Sequence, residues 1–462
     1  MKRVLLRPLL DSVADRGREL LGLKDDDGCK TDCAGLCESL LSERGVASGL
    51  ALAREILVGY GNMEPTDRQA FFRLLLERFG VNLAAVEEAV QTCRVVPTPD
   101  CLRRLMELAE PRRQELFRRL NTAPGGTAAL VRLRKDLLDL IRREPDLEPV
   151  DFDLRHLFNS WFNPGFLQLS RIDWNSSARL LEKLIAYESV HAIHGWDDLH
   201  RRLKQDRRCF AFFHPALEDE PLIFVEVALV RGIATRIVPL LDPDAPEEDP
   251  QQADTAIFYS INNTQGGLRG IAFGNFLIKR VVQELGDELP HLSTFATLSP
   301  LPHFANTIKK ALSDRVPGLE SQRIDRLLAD WCEPLMARVP DAAGPAAAAI
   351  HLAEHADERD AALLSPVLQR LAIVYLTTAA SRGGRSLDPV ARFHLTNGAR
   401  VESINPFADP SSKGRELAFG VMVNYLYDPV ELEANNERYV QGGEIPLSKA
   451  LRKELVKLDK AS

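Results

Sequence analysis

Two side chains in this sequence could hold a developing charge or move a proton. Ser299 ends the apolar run Phe295 to Leu298 and precedes Pro300-Leu301-Pro302, while His394 lies between Phe393 and Leu395. The proline biases Ser299 toward an extended backbone and stiffens the turn after it, so the hydroxyl could be held with little entropy loss. No G-x-S-x-G elbow surrounds it, and a strand-terminating serine is the plain alternative. His394 reads as a strand residue in ARFHLTN, from Ala391, where alternation turns its ring away from its apolar neighbours toward a cleft or solvent. A satisfied structural histidine is the alternative there. If Ser299 and His394 come within hydrogen-bond reach they form a proton-transfer pair, and a sequence separation of 95 residues neither supports nor excludes this. His214, His291 and His303 are the other candidate partners for the serine.

A third feature lies upstream of the serine. Gln265-Gly266-Gly267-Leu268-Arg269-Gly270 follows the strand-like FYSI and precedes a helix whose buried positions read as Ile271, Phe276, Leu277, Val281 and Leu285. A strand, a glycine turn and a helix N-terminus direct backbone N–H groups at an anion, and glycines leave room for a phosphate to approach the main chain. The helix dipole adds about 0.3 to 1 kcal/mol for an exposed anion. Neither the GxxxxGK[ST] loop nor a dinucleotide fingerprint with its acidic partner is present. Phosphate binding and a merely structural glycine turn both remain open on these residues.

The elements that must position these groups divide into a helical front and a mixed back. From Asp11 to about Arg142 the pattern is repeated amphipathic helix, with segments opening at Pro65-Thr66-Asp67, at Thr98-Pro99-Asp100, at Pro111 and at Thr127. Short loops between such helices predict an antiparallel bundle. REPDLEPVDFD, from Arg143 to Asp153, reads as a linker, giving a helical domain over 1–150 and a second domain over 151–462. In the second, a helix is expected from about Ser177 to Val190. Strands are expected at CFAFFHP near Cys209, at Leu222 to Val230, at ATRIVPLL from Ala234, and at AIFYSI from Ala256. Further strands are expected at ARFHLTN, ARVESIN and LAFGVMVNYLY, the first two joined by an Asn397-Gly398 hairpin. PDAAGPAAAAI, from Pro340, reads as a helix edge or loop. The fold class is α+β.

Bulk properties exclude some partners. Of 462 residues, 45% are hydrophobic and 27% charged, and the net charge of -8 is concentrated in no tail. Arginine groups such as RRLKQDRR, Arg201 to Arg208, are accompanied by acidic residues through most of the chain, so nucleic acid is not an expected partner while a small polyanionic ligand is compatible. The N-terminal apolar run is interrupted by Arg7, too soon for a signal peptide or membrane span, with a weak amphipathic presequence as the alternative. The end, Lys460-Ala461-Ser462, is not a peroxisomal address. A bacterial cytoplasm is the expected location. Seven cysteines form no paired framework and predict reduced thiols. Cys29, Cys33 and Cys37 share a helix face, but no histidine or acidic group completes a metal set.

Four stretches resemble the malonyl-CoA decarboxylase family: FYSINNTQGGLRGIAFGNFLIKRVVQELGDELPHLSTFATLSPLP, RRCFAFFHP, LIFVEVALV and FHLTNGARVESINPFADPSSKGRELAFGVMVNYLY. The resemblance implies a helical oligomerisation domain ahead of a catalytic domain with the fold of Gcn5-related N-acetyltransferases. It also implies a carbon-carbon lyase that converts malonyl-CoA to acetyl-CoA and carbon dioxide without metal or biotin. Coenzyme A is then part of substrate and product, and no separate cofactor is expected. Carried over by motif, the catalytic residues are Ser299, His394 and Tyr427. The coenzyme A diphosphate loop is Gln265 with Leu268, Arg269, Gly270, Ile271, Ala272, Phe273 and Gly274. Animal relatives have a glutamate in a GVELG segment where GIAFG places Ala272, so another acidic group orients His394 or none does. A homo-oligomer, dimer or tetramer, is the implied assembly. An acyl-CoA-dependent N-acyltransferase and a non-catalytic acyl-CoA-binding scaffold are the competing readings.

Overall fold

The computed structural model describes residues 6–21, 32–42, 45–217, 219–271, 276–313, 316–355, 360–378 and 386–461. The chain forms two compact units, Met1–Gln168 with Phe212–Leu222 and Asn263–Phe273, and Leu169–Ala211 with Ile223–Asn262 and Gly274–Ser462.

The first unit is helical. Its helices are α1 (Leu6–Leu21), α2 (Cys33–Leu41), α3 (Val46–Gly61), α4 (Pro65–Glu77), α5 (Leu83–Val95), α6 (Pro99–Ala109), α7 (Arg112–Asn121), α8 (Gly126–Ile141) and α9 (Glu148–Trp161). Local signals set their starts: the Thr98 side chain accepts the Cys101 N–H with Pro99 at the first helical position, and Pro65 opens α4 in the same way. Side chains repeating at helical spacing, among them Phe71, Leu75, Phe79, Leu116, Leu120, Leu130 and Leu137, form the buried interior. The stretch expected to link two domains is instead a 3-10 turn, Pro145–Leu147, running into α9. Leu147, Val150 and Leu154, spaced three and four apart, are buried there, so its apolar face outweighs its charged composition. The expectation of unpaired thiols also fails at one place. α5 and α6 pack against each other and place Cys93 and Cys101 in a disulfide, while Cys33, Cys37, Cys209 and Cys332 are free thiols.

The second unit is built on a mixed sheet. Strands β1 (Gln168–Ile172), β2 (Arg207–Phe213), β3 (Pro221–Val230), β4 (Thr255–Asn263), β5 (Thr294–Thr297), β6 (Ser299–Pro300), β7 (Arg400–Asn405) and β8 (Met422–Leu426) form one sheet. Its order is β1-β2-β3-β4-β5-β8-β6, with β7 also pairing with β8. β4 and β5 are parallel, from Thr255 opposite Thr294 to Phe258 opposite Thr297, whereas β8 runs antiparallel to β5, β6 and β7. Ser177 caps the expected helix, Ala178–Tyr187.

Three expectations away from Ser299 and His394 are corrected in this unit. ATRIVPLL is not a strand; Val238–Leu241 is a short helix, because Pro239 has no N–H for a ladder and helical spacing buries Ile237 and Leu240 in the core. LAFGVMVNYLY begins as the end of the helix Ser412–Ala418, and left-handed Phe419 and Gly420 terminate that helix before β8 starts. Pro345–Glu354 is a full helix, burying Ala346, Ala348, Ala349 and Ile350. Among the described residues, no helix is long and apolar enough to cross a membrane.

Candidate active site

β5 stops at Thr297, and the chain re-pairs with β8 through β6, placing Ser299 opposite Val423. On the β4 side the ladder continues, the Leu298 N–H donating to the Phe258 carbonyl at 3.0 Å, so the interruption between β5 and β6 lies on the β8 side. The interruption leaves polar groups to satisfy. Asn424 Nδ2 donates to the Thr297 carbonyl at 2.7 Å, and the Tyr425 N–H donates to Thr297 Oγ1 at 3.2 Å. Alternation then sends Ala296 and Leu298 into the core with Ile237, Ile257, Tyr259, Ala408 and Met422, and Thr297 and Ser299 to the other side.

His394 meets Ser299 there, although not from a strand. Residues Pro389–Thr396 are a helix: Asp388 accepts the N–H groups of Val390 and Ala391, and Pro389 takes the first position. Asn397-Gly398 is therefore a helix terminus and not a hairpin, with Gly398 at φ +85°. The ring is 2% exposed, stacked on Tyr425 with centroids 4.5 Å apart, so the expected cleft-facing histidine is buried. Its Nε2 lies 3.1 Å from Ser299 Oγ and its Nδ1 lies 2.7 Å from Tyr427 Oη. Ser299 Oγ is also 2.9 Å from Thr297 Oγ1.

These contacts assign the protons. Tyr427 is 1% exposed, and among the described residues its hydroxyl meets only His394. If Nδ1–H donated to that oxygen, the phenolic hydrogen would be buried without an acceptor. The satisfied arrangement has Tyr427 O–H donating to Nδ1, Nε2–H donating to Ser299 Oγ, and Ser299 O–H donating to Thr297 Oγ1. Burial pulls the His394 pKa down to about 3, so the ring is neutral at neutral pH. No carboxylate bonds it among the described residues; a phenol stands where an orienting acid was sought. A histidine already protonated on Nε2 does not take the serine proton, so the set offers donors to a negative charge and does not generate an alkoxide.

The other histidines fall elsewhere. His214 hydrogen-bonds the Trp161 carbonyl through Nε2 and accepts the Ala216 N–H, His291 meets the Pro250 carbonyl, and His303 is exposed. Sequence reasoning missed Thr297 and Asn424. Asn424 is fully buried and meets Ser403, Asn405, Ala234 and Thr297, and an asparagine inside the apolar run VMVNYLY was the available signal.

In the first unit, Gly266–Leu268 is a 3-10 turn following Gln265, and Arg269 and Gly270 are exposed. Ile271 is buried, as are Leu277, Val281 and Leu285 in the helix Phe276–Glu288. Ala272, Phe273 and Gly274 lie outside the described residues, as do the side chain of Phe276 and the whole of Cys29. Among the described residues, no three His, Cys, Asp or Glu side chains are grouped to hold a metal ion.

The malonyl-CoA decarboxylase C-terminal domain profile matches residues 165–462, and the corresponding N-terminal domain profile matches residues 79–162. The chain belongs to the malonyl-CoA decarboxylase family. The mitochondrial malonyl-CoA decarboxylase of Rattus norvegicus is 35% identical over 356 residues, covering 75% of this chain and 72% of that protein. The crystal structure of malonyl-CoA decarboxylase from Rhodopseudomonas palustris superimposes with a TM-score of 0.83 at 46% identity, covering 92% of this chain and 99% of that one. Its counterpart from Agrobacterium vitis gives 0.79 at 45% identity over the same shares of the two chains. The family's α+β architecture, a helical bundle before a mixed-sheet domain, is thus the architecture of this chain.

Proposed function

We propose that this chain decarboxylates malonyl-CoA to acetyl-CoA and carbon dioxide, with Ser299, His394 and Tyr427 as its catalytic residues. The observation that carries the reading is the buried chain of donors ending on Ser299 Oγ, in a member of this family. Breaking the bond between the carboxylate and Cα leaves its electron pair on the thioester as an enolate. Catalysis therefore requires donors aimed at that charge. The Ser299 hydroxyl and His394 Nε2–H are such donors once substrate replaces their mutual contact. Nε2–H is then the proton placed for Cα, and the Tyr427 O–H proton moves onto Nδ1 as it leaves, so the ring stays neutral. A solvent proton then returns to Nε2 and the Nδ1 proton to Tyr427, so one proton is consumed for each carbon dioxide released. Ser299 is not acylated.

The turn from Gln265 through Leu268 to Gly274 binds the coenzyme A diphosphate through backbone donors, with Arg269 adding charge attraction. The mixed-sheet domain serves as the acyl-CoA-binding catalytic domain, with the fold of an N-acetyltransferase. The helical front serves homo-oligomerisation, as dimer or tetramer. No nucleic acid is a partner, and the protein works in a bacterial cytoplasm.

Incubating purified protein with malonyl-CoA alone, with product masses followed over time, tests this. Acetyl-CoA and carbon dioxide should form without an amine acceptor, and S299A and H394A should each lower kcat by about 10²–10³-fold while the circular dichroism spectrum stays that of the folded wild type. Turnover that depends on an acceptor amine, or binding without turnover, would replace the assignment with a transferase or a scaffold.

A further inference from the structure

The glycine turn is not simply a loop of the catalytic domain. It is counted with the helical unit, and α8 packs against it. Val131 on α8 sits so close that a Cβ added at Gly267 would lie 1.8 Å from its carbonyl oxygen, which explains a glycine there by contact and not by flexibility. One turn further along α8, Arg134 is 1% exposed. Its Nη1 donates to the carbonyls of Gly267, at 2.7 Å, and Arg269, at 2.9 Å. Asp151 on α9 holds the rest of the guanidinium, accepting from Nε at 2.7 Å and Nη2 at 3.4 Å.

A buried arginine whose fork is shared between a carboxylate and two loop carbonyls fixes the direction of those peptides. In a planar trans peptide the C=O and the following N–H point opposite ways. Holding the Arg269 carbonyl inward therefore turns the Gly270 N–H outward, at a position that is exposed and has φ +78°. Arg134 thus presents a backbone donor without its own charge reaching solvent.

We infer that Arg134 is a positioning residue for the substrate's diphosphate: held by Asp151, it fixes the Gly267 and Arg269 carbonyls so that the Gly270 N–H meets the anion, while the Leu268 and Arg269 N–H groups donate within the turn to Gln265 and Gly266. This rests on reading the turn as the diphosphate site. It gives the helical unit a part in substrate affinity in addition to any part in assembly.

The test compares malonyl-CoA with malonyl-pantetheine, which has the same reacting thioester but no diphosphate. Wild type should prefer malonyl-CoA in kcat/KM. R134M should raise KM for malonyl-CoA about tenfold or more with kcat nearly unchanged, while kcat/KM for malonyl-pantetheine stays put. R134K, which keeps a charge but loses the fork, should fall between. D151N is the second variant should R134M not fold, and it should show the same split more weakly. Equal losses on both substrates would make Arg134 merely structural, and an unchanged KM in R134M or D151N would remove its role altogether. A wild type that handles both substrates alike would instead overturn the diphosphate reading of the turn, and this inference with it.

Discussion

At the scale of single residues, the site works by keeping a histidine neutral. The His394 ring has a tyrosine ring stacked on it, a phenol on one nitrogen and a serine on the other, and burial moves its pKa from 6.5 down to about 3. A dry, neutral donor interacts with an enolate more strongly than a solvated one, because water does not compete for it. The same burial has a thermodynamic signature. Between about pH 6.5 and 3 the unfolded chain carries a proton on this residue and the folded chain does not, so acid favours unfolding through His394; the stabilisation is fully present above that window. Replacing His394 by Asn removes the term. The stability advantage of wild type over H394N, from urea unfolding at pH 7 and at about pH 4.5, should therefore shrink on acidification. A gap that is constant with pH would mean that the ring is not held neutral.

At the scale of elements, the site depends on a short helix that the sequence disguises. ARFHL alternates well enough to pass for a strand, and eight residues are too few for helical periodicity to compete. The deciding information lies just outside it, where Asp388-Pro389 is a cap followed by a first-position proline and Asn397-Gly398 is a terminus. β3 and β4 were legible because LIFVEVALV and AIFYSI are apolar, β-branched runs flanked by turn residues. That the serine's strand breaks at Leu298 was not legible, because the break is defined by what β8 offers across the gap and no local pattern encodes that partner. The terminus of the short helix can be tested directly. Gly398 has φ +85°, and a Cβ there would lie 2.2 Å from the Leu432 carbonyl oxygen. Backbone strain and overlap together should make G398A about 3 kcal/mol less stable by urea unfolding. Displacing the helix end should also lower kcat, since His394 accepts the N–H of Ala399 on its own carbonyl. A G398A protein of wild-type stability would mean that this terminus is loosely packed.

At the scale of the whole molecule, the helical unit exposes apolar side chains among its described residues. α6 has no buried residue: Cys101, Leu105 and Leu108 are half covered, whereas Leu102 and Met106, one turn apart, are 57% and 75% exposed. Leu83 and Val95 on α5 are 76% and 80% exposed, and the Cys93–Cys101 disulfide ties the two helices together. The Leu102–Met106 pair on α6 is costly to leave in water and suits the same pair on a second copy. The sequence indicated the helices and their amphipathic character, but a face buried by a neighbouring helix and one buried by another subunit have the same periodicity. Charge placed on the pair separates the two cases. L102E combined with M106E should lower the native mass measured by light scattering to that of a smaller assembly, because two carboxylates buried at a contact have no partner. The effect on kcat per chain should be small, since both positions are remote in sequence from Ser299, His394 and Tyr427 and belong to the other compact unit. An unchanged mass would place the subunit contact on a different face, and would leave α6 as a surface helix whose apolar pair has some other use.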